Sequence, residues 1–193
     1  MSAKKKPKGK RKRWFLLVLV AVLAGLFIRS DWIGRLIYPI SHAESIKLYA
    51  GQYGQDPLLI AAIIRVESNF KEDAVSRKGA VGIMQIMPDT AEWILKQEKF
   101  GDLTIEKAGS RADAGIRLGT WYVSELSRQF EGNLPVVLAA YNAGPTRVRQ
   151  WLNDRVWDGK EQTVRDIPYG ETRHYVQRVL YYYKKYSELY EHL

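Results

Sequence analysis

Residues 56–70 read DPLLIAAIIRVESNF, and this stretch decides the fold. Asp56 is a helix N-cap residue, and Pro57 at the next position has a backbone angle already suited to the first helical turn. Leu58 to Val66 are apolar almost all round, with Arg65 as the exception. A helix without a polar face belongs in the middle of a helical domain rather than on its surface. It ends on Glu67, followed by Ser68 and Asn69.

Helix signals continue on both sides. Ser41-His42-Ala43-Glu44 has the form of a capping box and opens a helix to about Tyr53, stopped by Gly51 and Gly54. Residues 69–88 contain Gly79, Gly82 and Pro88 and read as a long loop with room for one small hairpin, a length usual for functional segments. Asp89 with Glu92 caps a helix to about Gln97. Residues 110–130 form an amphipathic helix with Ile116, Trp121, Tyr122 and Leu126 inward. Asn133 opens the buried helix LPVVLAAYN, closed by Gly144-Pro145. Thr146 to Leu152 is a short helix. In the last, Glu171 to Tyr190, residues Tyr175, Val176, Val179, Leu180, Tyr183 and Tyr186 form one stripe. No sustained period-2 pattern appears. The expectation is a single all-α domain over residues 41–193, with at most a small hairpin.

The N-terminus differs in kind. Residues 1–13 hold eight of the 30 Lys and Arg, which leaves 22 basic against 21 acidic residues in 14–193. The net charge of +9 is thus a property of the tail, and a nucleic-acid footprint on the domain is excluded. Trp14 to Ile28 carry no charge. A basic run before an apolar run keeps the basic end in the cytoplasm. Fifteen apolar residues make roughly 22 Å of helix, against a hydrocarbon core of about 30 Å. Arg13 and Arg29 narrow the gap by snorkelling. Arg29-Ser30-Asp31-Trp32 is a poor cleavage site, so an uncleaved anchor is favoured over a removed signal peptide. The expected organisation is a cytoplasmic tail at 1–13, a transmembrane signal anchor at 14–33, a stalk at 34–40 and the domain outside the membrane. The chain has no Cys, which removes disulfides, thiolate metal sites and Cys nucleophiles.

Glu67 is the carboxylate that stands out. Desolvation at the end of a buried helix raises its pKa, and the negative end of the helix dipole acts in the same direction. Arg65, two residues away, points to another face. A Glu at its ordinary pKa is protonated about 0.2% of the time at pH 7, and one raised to about 6 roughly 9% of the time. Taken alone, Glu67 is more often a solvated helix end than a catalyst.

Four separated segments change that balance: Glu67-Ser68-Asn69-Phe70, Gly79-Ala80-Val81-Gly82-Ile83-Met84-Gln85, Ala139-Ala140-Tyr141-Asn142-Ala143-Gly144, and Ile167-Pro168-Tyr169-Gly170-Glu171-Thr172-Arg173-His174-Tyr175-Val176. In this order and spacing they resemble the catalytic domain of the soluble lytic transglycosylases (family 1), which is similar to goose-type lysozyme in fold. The resemblance covers about 41–185. It implies that Glu67 is the catalytic acid and base and that Ser68 helps hold the site. It implies that Met84 and Gln85 line the sugar groove, that Tyr141 and Asn142 form its floor, and that Glu171 and Tyr175 face it from one side of the last helix. Read without the resemblance, Ser68 is a helix C-cap, Met84 and Tyr175 are core, Gln85 is surface, Asn142 is a helix-end device and Glu171 is a first-turn acid. Gly79 and Gly82 serve backbone geometry. Trp151, Trp157 and Tyr181-Tyr182-Tyr183 are packing before they are sugar platforms.

The matching motifs supply one catalytic carboxylate, whereas most glycosidases use two. The resemblance implies cleavage of the MurNAc–GlcNAc bond of peptidoglycan glycan strands with closure of a 1,6-anhydro ring, and no metal or cofactor. Two alternatives are a muramidase that admits water to the same site, and a non-catalytic, membrane-bound wall-binding or assembly protein. Nothing in the sequence bears on oligomeric state.

Overall fold

The computed structural model describes residues 8–29, 31–97, 100–101 and 103–190. The first seven residues of the basic tail therefore lie outside the described residues. The chain divides into two units, Met1–Pro39 and Ile40–Leu193.

The first unit holds α1 (Lys8–Arg29) and the short α2 (Asp31–Ile37). The side chains from Trp14 to Val20, with Val22 and Leu23, are exposed. Among the described residues no helix is long and apolar enough to cross a membrane. The expected span falls short for a physical reason. The charge-free run in α1 is only fifteen residues, and basic residues close it at both ends.

The second unit contains α3 (Ala43–Gln52), α4 (Pro57–Glu67), α5 (Pro88–Gln97), α6 (Ile105–Ser110), α7 (Ala112–Gln129), α8 (Leu134–Ala143), α9 (Pro145–Asn153), a 3₁₀ turn (Glu161–Asp166) and α10 (Gly170–Leu189). Among the described residues there is no strand, only isolated antiparallel bridges of Val81 with Val75 and with Ile86. The small hairpin expected in the 69–88 loop is reduced to these bridges.

α4 is the centre of the unit. Asp56 Oδ1 accepts from the Leu58 N–H at 2.7 Å, as its cap position requires, and Asp56 Oδ2 accepts from the Tyr183 hydroxyl of α10 at 2.7 Å. Leu59 to Ile64 are all buried. Complete burial of one Leu or Ile side chain contributes about 1.5–3 kcal/mol, so this run alone outweighs any surface interaction in the unit. α10 packs along α4 and α8, while α7 packs on α3, α6 and α8. Tyr175, Val176, Val179 and Tyr186 of α10 are buried; Leu180 and Tyr183 are partly so. Trp151 and Trp157 are buried, which settles them as packing.

Three local expectations change. The helix after residue 41 begins at Ala43, with His42 rather than Ser41 at the cap. His42 has a left-handed φ of 57° and makes no side-chain capping bond, and its ring lies 3.5 Å from Glu72 instead. The helix expected to be capped by Asp89, α5, starts at Pro88, which places Asp89 inside the first turn. The helix expected over 110–130 is α7, and the extended Arg111 before it separates it from α6, a short helix that no sequence signal pointed to. Trp121 is only partly buried, between Trp93 and Phe100.

Candidate active site

The end of α4 is built to stop. Ser68 closes the helix through its N–H to Ile64 O, and Asn69 and Phe70 then both take left-handed φ, 54° and 63°. For an aromatic residue this conformation is strained, and such strain persists only where the surroundings enforce it. The enforcing contact is visible. Ser68 Oγ, buried, donates to Ile83 O at 2.7 Å and ties the helix end to the glycine-containing loop. Ser68 is therefore both the C-cap and the clamp on that loop.

The loop reaches its shape through its glycines. Gly82 has φ 76°, and a Cβ there would collide with the Ala108 carbonyl oxygen of α6. The close approach is to α6 and not to the groove. Gly79, φ 86°, has open space around it and serves the turn alone. Gly119 of α7 leaves room for the Met84 side chain, which is buried there. Met84 consequently faces the interior, contrary to a place on the groove wall; the cleft uses its backbone carbonyl, which accepts from the Tyr141 hydroxyl at 2.8 Å. Gln85, φ 49°, does line the cleft. Its Nε2 donates to Ala74 O and Gly82 O, both at 2.8 Å, so its two N–H groups hold the loop and only Oε1 remains for a ligand.

Between this loop, α7, α8 and α10 lies a cleft of about 190 Å³ with Glu67 in its wall. Ser76, Lys78 and Ala80 border it from the loop and Tyr122 from α7. Tyr141 and Asn142 border it from α8, and Glu171 from α10. Asn142 Oδ1 accepts from Thr172 Oγ1 at 2.7 Å, which fixes the plane of its amide and locks α8 to α10. Tyr141 stacks parallel to Tyr175 at 6.5 Å and meets Tyr122 at 5.5 Å, so three aromatic rings form one side of the carboxyl's surroundings.

Glu67 keeps a little accessible surface toward the cleft, while protein surrounds its carboxyl. That burial is the main cause that pushes its pKa from 4.5 to about 8. The Tyr175 hydroxyl and the positive charge of Arg178 oppose the shift, and the negative charge of Glu171 adds to it. Tyr175 OH is buried and has no hydrogen bond with the usual geometry, yet it lies near enough to the Glu67 carboxylate to favour the ionised form. The direction is the one expected from the end of a buried helix. Arg65 is turned away, with its guanidinium over the Tyr182 ring at 5.5 Å. Tyr141 and Tyr175 both have pKa values raised well above 10, first by burial and then by Glu67, and stay neutral.

A second carboxylate, Glu171, stands at the rim. Lys78 Nζ donates to its Oε2 at 2.6 Å, and both side chains are about two-thirds exposed or more (71% and 67%). The two carboxylates thus have opposite environments: one dry, the other wet and paired. Among the described residues no cluster of His, Asp and Glu side chains is suited to a metal ion.

The structure therefore brings Glu67, Gln85, Tyr141, Asn142 and Glu171 to one cleft, places Ser68 and Tyr175 against its walls, and turns the Met84 side chain away. Lys78, Thr90 and Tyr122 were not singled out as cleft residues, because loop folding and the meeting of α5 with α7 leave no periodic trace. Arg178 was legible: it follows Glu171 and Tyr175 at i+7 and i+3 on the same helix face.

The comparisons agree with this geometry. Residues 44–164 match the family model described as transglycosylase SLT domain. The chain is 34% identical over 148 residues to the soluble lytic murein transglycosylases of Salmonella typhimurium and Escherichia coli, covering 75% of this chain and 23% of each relative. It is 32% identical over 180 residues to a putative soluble lytic murein transglycosylase of Haemophilus influenzae, covering 90% of this chain and 29% of that one. Among solved structures, the 70 kDa soluble lytic transglycosylase of Escherichia coli matches 92% of this chain and 28% of its own, at a TM-score of 0.73 and 31% identity. An inactive mutant of the lytic transglycosylase Slt from Pseudomonas aeruginosa matches 80% of this chain and 25% of its own, at 0.71 and 38%. The chain thus spans about a quarter of the length of the relatives it matches. With the matched residues making up most of the helical unit that carries the cleft, Glu67 included, the chain belongs to the transglycosylase SLT domain family.

Proposed function

We propose that the chain is a peptidoglycan lytic transglycosylase that cleaves the β-1,4 bond between N-acetylmuramic acid and N-acetylglucosamine. The observation that carries this reading is Glu67, a carboxyl that burial keeps protonated at neutral pH in the wall of an open cleft. Protonated Glu67 gives its proton to the glycosidic oxygen, and the C1–O bond breaks. The substrate's N-acetyl group and the neutral polar groups of Tyr141 and Asn142 steady the positive charge at C1. The Glu67 carboxylate then takes the proton of the muramyl C6 hydroxyl, whose oxygen bonds to C1 and closes the 1,6-anhydro ring. One residue serves as acid and then base, and no water is consumed. Ser68 and Gln85 are positioning residues that hold the loop; Glu171 and Lys78 meet the strand at the rim.

A second part of the proposal concerns α1, which presents side chains up to 73% exposed in an apolar run. Uncovered apolar surface on this scale marks a membrane or protein contact. The reading adopted is a membrane tether, residues 14–33, with the basic tail 1–13 on the cytoplasmic side and the catalytic unit on the cell-wall side. The run is short, so the flanking basic residues must reach the headgroups. Recovery of the chain in the carbonate-washed membrane fraction supports the tether, and recovery in the soluble fraction refutes it.

Mass spectrometry of purified peptidoglycan digested by the chain tests the activity. Muropeptides lighter by one water than hydrolysis products, and absent with Glu67→Gln, are expected. Hydrated products assign a muramidase instead, and equal cleavage by the Gln variant removes Glu67 from the chemistry.

A further inference from the structure

Away from the Glu67 cleft lies a groove of about 630 Å³, bordered by Leu134 of α8, Gln162 and Arg165 of the 3₁₀ turn, and Gln177, Tyr181 and Lys184 of α10. It shares no bordering residue with the cleft. At about 100° per residue, Gln177, Leu180 and Lys184 lie roughly half a turn around α10 from Glu171, Tyr175 and Arg178. The groove is thus a separate place on the domain and not a continuation of the cleft. Val164 is buried and seats the 3₁₀ turn against α10, which fixes the distance between the two walls.

Of the three consecutive tyrosines, two are committed to the fold. The Arg65 guanidinium lies over the Tyr182 ring, and the Tyr183 hydroxyl donates to Asp56. Tyr181 is 48% exposed, and its ring stands edge-on to Tyr182 at 5.4 Å, which restricts its orientation. An oriented aromatic ring at the surface is a platform for the C–H face of a sugar, whose weakly positive hydrogens meet the negative face of the π system. Gln162 and Gln177 are both exposed. Each amide carries two donors and an acceptor in one plane, a set that suits neighbouring hydroxyls or an acetamido group. Two cations, Arg165 and Lys184, border the groove against one acid, Glu161. Arg165 keeps only a loose pair with Asp166, at 3.8 Å. This balance favours an anionic polymer, and peptidoglycan is anionic through the carboxylates of its stems.

We propose that this groove is a second, non-catalytic glycan-binding site, with Tyr181 as its stacking face and Gln162 and Gln177 as its hydrogen-bonding groups. It rests on the lytic transglycosylase reading. The substrate of that reading is an insoluble network, and a chain that grips it at a second point meets its bonds at a raised effective concentration. A remote grip therefore acts on polymer, and not on a fragment too short to reach both places.

The test has two arms, both with the full chain in mild detergent. In the Glu67→Gln background, co-sedimentation measures binding to insoluble peptidoglycan, with its stems intact and with its stems removed by an amidase. In the chain with Glu67, mass spectrometry measures cleavage of a soluble four-sugar muropeptide. Tyr181→Ala is expected to weaken co-sedimentation about three- to tenfold on both polymers, the range for one aromatic contact, and to leave cleavage of the short fragment unchanged. Tyr181→Phe keeps the ring and should bind like the parent. Tyr181→Leu keeps apolar bulk without a flat face and should not, and melting curves verify that each variant is folded. Unchanged co-sedimentation of Tyr181→Ala, or full binding by Tyr181→Leu, overturns the site. A loss confined to the stem-bearing polymer assigns the groove to peptide and overturns it as a glycan site. A dimer of the parent that Tyr181→Ala dissolves assigns it to a second copy and overturns it too. A parent chain that does not cleave the short fragment brings down the lytic transglycosylase reading itself, and the site with it.

Discussion

Replacing Glu67 by Gln is expected to stabilise the protein at neutral pH and to leave it unchanged in acid. The folded pKa is about 8 and the ordinary value 4.5, so the native state holds a proton that the unfolded chain has released anywhere between them. Below pH 4.5 both states are protonated and Glu67 costs nothing as an acid. As pH rises from 4.5 the unfolded state gains by ionising, and stability falls until the folded group ionises near 8. Each unit of difference is about 1.4 kcal/mol, so the penalty at pH 7 is about 3 kcal/mol. Glutamine never ionises, and its amide is buried at much the same cost as a protonated carboxyl, which leaves a gain of about 3 kcal/mol at pH 7. For a chain of this size that is a rise in melting temperature of roughly 6–12 °C. The assay is thermal melting of the full chain and its Gln variant in the same detergent from pH 4 to 9. The two curves should converge near pH 4.5 and separate steadily to pH 8. Curves that stay parallel over the whole range would refute the claim that burial raises this carboxyl.

Other perturbations probe the same arrangement. Turnover needs protonated Glu67 and should be lost as pH rises through about 8; Tyr175→Phe removes a hydroxyl that favours the carboxylate and should move that limb upward, which a pH–rate profile reads. Gly82→Ala combines a positive φ with a collision against the Ala108 carbonyl, and should destabilise by about 2 kcal/mol or more in chemical denaturation. Tyr141→Phe deletes the bond to Met84 O and should cost about 1 kcal/mol of stability, with turnover falling more than affinity.

Much of this fold can be read from short signals. Asp56-Pro57 and the apolar run behind it define α4, and the same run, ending on an acid, points to Glu67. What periodicity does not convey is how a loop folds back. Met84 and Gln85 are neighbours with opposite fates because Gly119 opens a hole for one side chain while two carbonyls capture the other. The separation of α6 from α7 turns on one extended residue, Arg111, which is an ordinary helix former. His42 displaces Ser41 as the cap through its left-handed backbone. Lys78 meets Glu171 across 93 residues of sequence, a pairing no local pattern encodes. The basic and apolar N-terminal runs were plain to see, yet the charges that bound them also limit the length of the apolar helix.

The most direct measurement is a titration of the Glu67 carboxyl itself, by carbon-13 NMR of chain labelled at glutamate side chains, with Glu67→Gln used to assign the signal. A midpoint near pH 8 is the result this account expects. A midpoint near 4.5 would mean that the side chain is ionised at neutral pH, with no proton to deliver to a glycosidic oxygen.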